Sequence, residues 1–221
     1  MKWKDLTKLY GVLLLLHLSS LYVNEQPWLI LFSKGSLLFV LGVWWWSESK
    51  WRKSWPLYLG LAQLFSWIGD LLLEFQGLFL FGLGAFLVAQ IAYGWSFRHW
   101  LKAEGNLAIS HRVYAYLLPS LLMSVLVIPR ASQAGDLMIP IILYALVLSM
   151  VWALALQLGF HRFHHHWRVL VGATVFLISD SILAYHLFIA PIPHSGYAIM
   201  ITYGVAQYFY LWAASKQLAL R

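Results

Sequence analysis

Lys34, Asp70 and Asp180 are ionisable side chains set inside stretches otherwise apolar enough to cross a lipid bilayer. A charge at mid-bilayer costs roughly 2.5–3.5 kcal/mol on insertion scales, so such residues turn toward a protein interior and mark functional positions. Two carboxylates brought together in low dielectric cannot both ionise easily. One then keeps its proton at neutral pH, and the pair supplies an acid and a base at once. Asp70 and Asp180 are therefore the expected catalytic residues, and Lys34 is expected either to hold one of them ionised or to meet an anionic group of a ligand. The plainer alternative is a lysine–aspartate ion pair that fixes the fold and does no chemistry. Against it stands the chain's economy with charge: of only 8 acidic residues, two are aspartates placed well inside spans.

Such residues need helices to carry them. With 62% of 221 residues hydrophobic and 10% charged, the chain falls in the membrane class. Apolar segments run over 9–24, 28–46, 55–75, 78–97, 112–129, 137–158, 167–189 and 195–215, each able to span with modest adjustment. The expected fold is all-α, a bundle of eight transmembrane helices in a single domain over residues 1–221, with the first helix retained rather than cleaved. Lys2, Lys4, Lys8, Lys50, Arg52, Lys53, Arg98, Lys102, Arg112, Arg162, Arg168, Lys216 and Arg221 fall on one side of this arrangement, Arg130 alone on the other. By the positive-inside rule both termini should be cytoplasmic. The tryptophans Trp28, Trp44, Trp45, Trp46, Trp51, Trp55, Trp95, Trp100 and Trp167 lie near proposed helix ends and read as interfacial anchors. A multi-pass protein of a bacterial inner membrane is expected, its oligomeric state left open.

In that orientation Lys34 lies about two helical turns from the outer surface, and the third and seventh spans carry Asp70 and Asp180 to midplane or beyond. Residues three or four apart share a helix face. Gln63, Ser66 and Glu74 thus join Asp70; Ala173, Phe176 and Ala184 join Asp180; Gln90 with Tyr93, and Tyr203 with Gln207 and Tyr210, form further stripes. A polar pocket among several helices follows. A faint repeat is visible too: Val88-Ala89-Gln90 with Tyr93 and Trp95 is echoed by Val205-Ala206-Gln207 with Tyr210 and Trp212, and Ile68-Gly69-Asp70 by Ile178-Ser179-Asp180. This suits a parallel four-plus-four duplication.

Other chemistries find less support. No cysteine is present, which removes thiolate nucleophiles and thiolate metal sites. The basic excess belongs to cytoplasmic loops, so no nucleic-acid partner is expected. His161, His164, His165 and His166 sit among arginines without a carboxylate, as a basic rim facing anionic lipid would. His17, His186 and His194 near the outer side form the one alternative zinc set, but neither metal nor organic cofactor is expected. Asp70 lacks the Gly-x-Gly-Asp context of intramembrane aspartyl proteases, and no Gly-x-Ser-x-Gly elbow occurs. The strongest non-enzyme alternative is a proton-coupled transporter, which uses the same buried groups as a relay.

Several groups of residues resemble the YhhN-like lysoplasmalogenases, small eight-helix membrane hydrolases. They are Lys34; Gly69-Asp70-Leu71-Leu72-Leu73; Phe81-Gly82-Leu83-Gly84-Ala85-Phe86-Leu87 leading to Tyr93; Tyr144 after Pro140; Gly172-Ala173 through Phe176 to Ser179-Asp180 and Leu183-Ala184; and Tyr203 with Ala206-Gln207. Two positions depart from the family pattern: Gln90 stands where histidine is more frequent, and Gly35 rather than proline follows Lys34. The resemblance implies hydrolysis of the vinyl ether bond of a lysoplasmalogen, giving a fatty aldehyde and glycerophosphoethanolamine or glycerophosphocholine, without a cofactor. Its partners would be a lysolipid substrate and the surrounding membrane lipids. On this reading Asp70 and Asp180 are catalytic, and Lys34, Gln90, Tyr93, Tyr144, Tyr203 and Gln207 line the substrate pocket.

Overall fold

A run of apolar residues in lipid satisfies its backbone hydrogen bonds internally only as a helix or a closed barrel. The computed structural model describes residues 2–23, 26–50, 54–104, 109–122, 132–161 and 166–219. Within them lie α1 (Trp3–Val23), α2 (Pro27–Ser49), α3 (Trp55–Leu72), α4 (Phe79–Glu104), α5 (Ile109–Leu122), a short 3-10 segment (Ser132–Leu137), α6 (Met138–Phe160), α7 (Trp167–Phe188) and α8 (Ser195–Ala219). Prolines open α2 and α3, where the missing N–H costs nothing. Gly77, at φ 82°, allows the reversal between α3 and α4.

The eight expected helices are present with shifted ends. α1 starts at Trp3, α4 continues to Glu104, and α3 stops at Leu72, which leaves Glu74 in the turn beyond it. The expected fifth span to residue 129 lies partly outside the described residues. By length and composition α1, α2, α4, α7, and α6 with the turn before it, are apolar enough to cross a membrane. α3 and α8 fall short because they carry the polar interior, with Gln63, Ser66 and Asp70 on one and Tyr203 and Gln207 on the other, all buried. The outward surface is apolar, with Leu15, Phe32, Phe39, Val43 and Met150 exposed as lipid-facing residues should be. The protein is a helical membrane bundle.

Its two ends differ. Where α2 ends, α3 begins and α4 ends, Trp45, Trp55 and Trp100 are fully buried; Trp55 lies 5.8 Å from Trp45 and 5.2 Å, edge-on, from Trp100. Ring centroids of Trp100 and His166, just before α7, are 6.5 Å apart. These tryptophans are not interfacial anchors, because their neighbours close over them; they plug this end of the bundle. Trp28, Trp95 and Trp167 do stay exposed, and Trp51 lies outside the described residues. The described basic residues other than Lys34 all belong to the plugged half. At the opposite end, the interior opens into a cavity.

Helices without a hydrophobic force between them rely on close packing. α3 packs along α4, and α7 along α8. A Cβ on Gly172 of α7 would sit 2.9 Å from the Tyr210 ring and 3.2 Å from the Ala206 carbonyl oxygen on α8, so glycine sets the α7–α8 spacing. Gly84, by contrast, has open space. Gly172→Val should therefore overpack the interface at a cost of about 1–3 kcal/mol. Gly84→Ala should leave the thermal midpoint in detergent unchanged or slightly raised, and equal midpoints for the two variants would contradict this packing.

Candidate active site

Asp70 occupies the last turn of α3, where exposed carbonyls disfavour a negative charge. It is 3% exposed, and its Oδ2 accepts a hydrogen bond of 2.9 Å from the Tyr203 hydroxyl of α8. Asp180, in the second half of α7, accepts through Oδ2 from the Tyr144 hydroxyl of α6. Each carboxylate thus has its own tyrosine, and among the described residues no hydrogen bond joins the two. These contacts fix the orientations of the two carboxyl groups and tie α3 to α8 and α7 to α6.

Lys34 meets neither aspartate. Its Nζ lies 2.6 Å from Glu74 Oε1, with side-chain exposures of 11% and 30%. The expectation of a lysine–aspartate pair gives way here because α3 ends before Glu74; the chain then turns and brings that carboxylate across to α2. Glu74 was legible as a neighbour of Asp70 but not as the lysine's partner.

All of these groups face one cavity of about 440 Å³, within the usual range for small-molecule sites. Lys34, Asp70, Glu74, Tyr144, Asp180, Tyr203 and His17 supply its polar wall; Phe79, Phe86, Leu148, Trp152, Leu187 and Phe188 are among those supplying its far larger apolar one. Every helix contributes, α5 through Pro119. Such a lining suits a ligand that is part polar and mostly apolar.

Gln90, Tyr93 and Gln207 do not line the cavity. They stand behind it, fully buried. Gln63 Nε2 donates to the Tyr93 hydroxyl at 2.8 Å and to Gln207 Oε1 at 2.9 Å, while the Tyr93 hydroxyl donates to Gln207 Oε1 at 2.6 Å. This triad links α3, α4 and α8. Gln90 precedes Tyr93 by one turn of α4 and is fully buried. The polar stripes were legible in sequence; which stripes meet one another depends on helix rotation, which spacing alone does not give.

The histidines go to separate partners. His17 Nδ1 lies 2.9 Å from Ser33 Oγ, His186 Nδ1 accepts from the Ile192 N–H at 2.9 Å, and His194 is exposed beside Tyr197. Among the described residues no three His, Asp or Glu gather as a metal-ligand set. His164 and His165 lie outside the described residues.

Comparison with known proteins adds a second line. The model of the YhhN family matches residues 29–214. A protein named lysoplasmalogenase TMEM86B from Homo sapiens is 29% identical over 154 residues, covering 66% of this chain and 58% of that protein. Its Sus scrofa counterpart of the same name is 31% identical over 147 residues, with the same coverage. The chain thus spans 58% of the length of these curated relatives. No solved structure gives a significant match.

Gln207 Oε1 accepts from both Gln63 and Tyr93, so its removal takes one acceptor from two buried donors. Gln207→Leu leaves Gln63 and Tyr93 buried without their shared acceptor, which should cost about 1–3 kcal/mol. A drop in thermal midpoint in detergent reads this, with the exposed Trp95→Leu as the unaffected control.

Proposed function

The chain belongs to the YhhN family, and from that premise we propose that it is a lysoplasmalogenase, hydrolysing the vinyl ether bond of a lysolipid to a fatty aldehyde and a glycerophospho-base. The observation that carries the reading is the cavity: carboxylates from α3 and α7 open on one space whose remaining wall is mostly apolar. The names of the two relatives agree with it.

Vinyl ethers resist direct attack by water but yield to acid. A carboxylic acid protonates the β-carbon of the enol ether, and the positive charge that develops is an oxocarbenium ion shared between the α-carbon and the ether oxygen. In this scheme one of Asp70 and Asp180 gives the proton while the other, as carboxylate, stabilises the cation across a site that excludes bulk water. That carboxylate then takes a proton from a water molecule as the water adds to the α-carbon. The resulting hemiacetal breaks its bond to the glycerol oxygen, which leaves as the alcohol with a proton, and aldehyde remains. One water is consumed, and the carboxyl pair ends with the proton it began with. Tyr144 and Tyr203 act as positioning residues by fixing the two carboxylates. The apolar wall accepts the hydrocarbon chain.

The basic residues of the plugged half support a cytoplasmic location for that end, with both termini, by the positive-inside rule. The cavity then opens toward the outer leaflet. A helical bundle rather than a closed barrel fits an inner rather than an outer bacterial membrane.

Asp70→Asn and Asp180→Asn should each lower aldehyde release from a vinyl ether lysolipid by at least about 10²-fold, the lower bound for losing a general acid or base, with the protein still folded in detergent. The saturated alkyl ether should not be cleaved. Wild-type turnover in either variant would overturn the assignment. Release of aldehyde by purified, detergent-solubilised protein also separates this reading from a transporter, which needs a sealed vesicle.

A further inference from the structure

The mechanism above makes no use of the Lys34–Glu74 pair, although both residues line the cavity. As a staple between α2 and α3 the pair is not alone. The Trp67 indole N–H already donates to the Gly35 carbonyl at 2.8 Å, one residue from Lys34, and the Trp45 indole N–H donates to the Pro56 carbonyl at 2.9 Å at the other end of the same two helices. The partners are also unequal. Lys34 emerges from within α2 and is nearly buried, while Glu74 sits on the turn after α3 with its side chain 30% exposed. Glu74 is the partner placed to swing.

Lys34, nearly buried, cannot lose its partner without being left uncompensated. A ligand carrying only negative charge would compensate Lys34 but set its own charge beside that of Glu74. A ligand with only positive charge would strand Lys34. A ligand bearing both charges replaces one internal pair with two external ones and leaves nothing unpaired.

Beside the pair, His17 gives an independent sign that a polar ligand belongs here. It lines the cavity, is 1% exposed, and engages Ser33 Oγ through Nδ1, yet its Nε2 has no hydrogen-bond partner among the described residues. Buried polar atoms are ordinarily satisfied. A hydroxyl both donates and accepts, so a glycerol hydroxyl would satisfy this nitrogen in either tautomer.

We propose that Lys34 and Glu74 are the specificity residues of the site and open around a zwitterionic head group, Lys34 taking the phosphate and Glu74 the ammonium. The proposal rests on the lysolipid reading above and assigns its head-group end.

The test uses uncleavable 1-alkyl lysolipids with choline, ethanolamine or bare phosphate head groups, titrated into purified full-length protein in detergent, together with turnover of the matching vinyl ethers. The wild type should bind both zwitterions at least about tenfold more tightly than the phosphate monoester. Glu74→Gln should erase that preference by weakening zwitterion binding, raising KM for the vinyl ether zwitterions with kcat changed far less. Lys34→Gln should weaken all three. The exchange Lys34→Glu with Glu74→Lys keeps an ion pair and should keep the thermal midpoint, but it should not restore affinity, because the phosphate is fixed between glycerol and ammonium and the head group cannot reverse.

Preference that survives Glu74→Gln, or affinity recovered by the exchange, would show a merely structural pair and overturn the proposal. The two readings fail separately. Head-group preference lost in Glu74→Gln, without hydrolysis of any vinyl ether by the wild type, retains the clamp and refutes the hydrolase. Hydrolysis indifferent to head group refutes the clamp and retains the hydrolase.

Discussion

Ionisable groups removed from water must find partners inside the protein, and in this bundle that requirement shapes how the helices meet. Asp70 with Tyr203 joins α3 to α8, Asp180 with Tyr144 joins α7 to α6, and Lys34 with Glu74 joins α2 to the end of α3. Behind them Gln63, Tyr93 and Gln207 bind α3, α4 and α8. Lipid chains are as apolar as leucine, so helix association in a membrane draws on close packing and polar contacts. Gly172 supplies the first between α7 and α8; the polar pairs supply the second. The same contacts that resolve the cost of buried charge therefore hold the cavity walls in place. Shape and chemistry here have one origin.

Much of this was open to a reader of the sequence, for reasons that also set the limit. Eight helices follow from apolar runs separated by Pro, Gly and charge, and two aspartates inside such runs stand out by cost alone. Tyr144 and Tyr203 could be named as pocket residues from motif and periodicity. What a one-dimensional pattern does not carry is the rotation of one helix against another. Gln90, Tyr93 and Gln207 form polar stripes that read as pocket lining, yet those stripes turn into the bundle, where Tyr93 and Gln207 bond Gln63 and each other, rather than toward the cavity. Glu74 shows a related limit: i, i+4 spacing set it beside Asp70, but the helix ends two residues earlier, and a turn redirects its side chain to Lys34. The tryptophans were legible as residues of helix ends; that three of them plug the bundle depends on neighbours from other helices.

The asymmetry between the ends matters for the proposed reaction. An oxocarbenium ion is best stabilised where water is scarce and fixed dipoles and charges do the work of solvent. Trp45, Trp55 and Trp100 close one end with large rigid rings, and the cavity that holds the carboxylates lies away from them. A vinyl ether also needs no strong nucleophile, because water suffices once the carbon is cationic. The chemistry then asks for an acid, a counter-charge and a dry wall, all of which rest on residues that line this cavity.

Spacing along α3 connects the two proposals. Glu74 follows Asp70 by four residues, in the turn just beyond the end of α3, and both line the cavity. A head group held by Lys34 and Glu74 would leave the glycerol unit as the spacer between the charged end and the carboxylates, with the vinyl ether on its far side, toward the apolar wall. Tight binding of the remote end is then what sets the reacting bond against the acid, since binding energy from non-reacting parts of a substrate can be used to orient it. On that view the ion pair contributes to rate without touching a reacting atom.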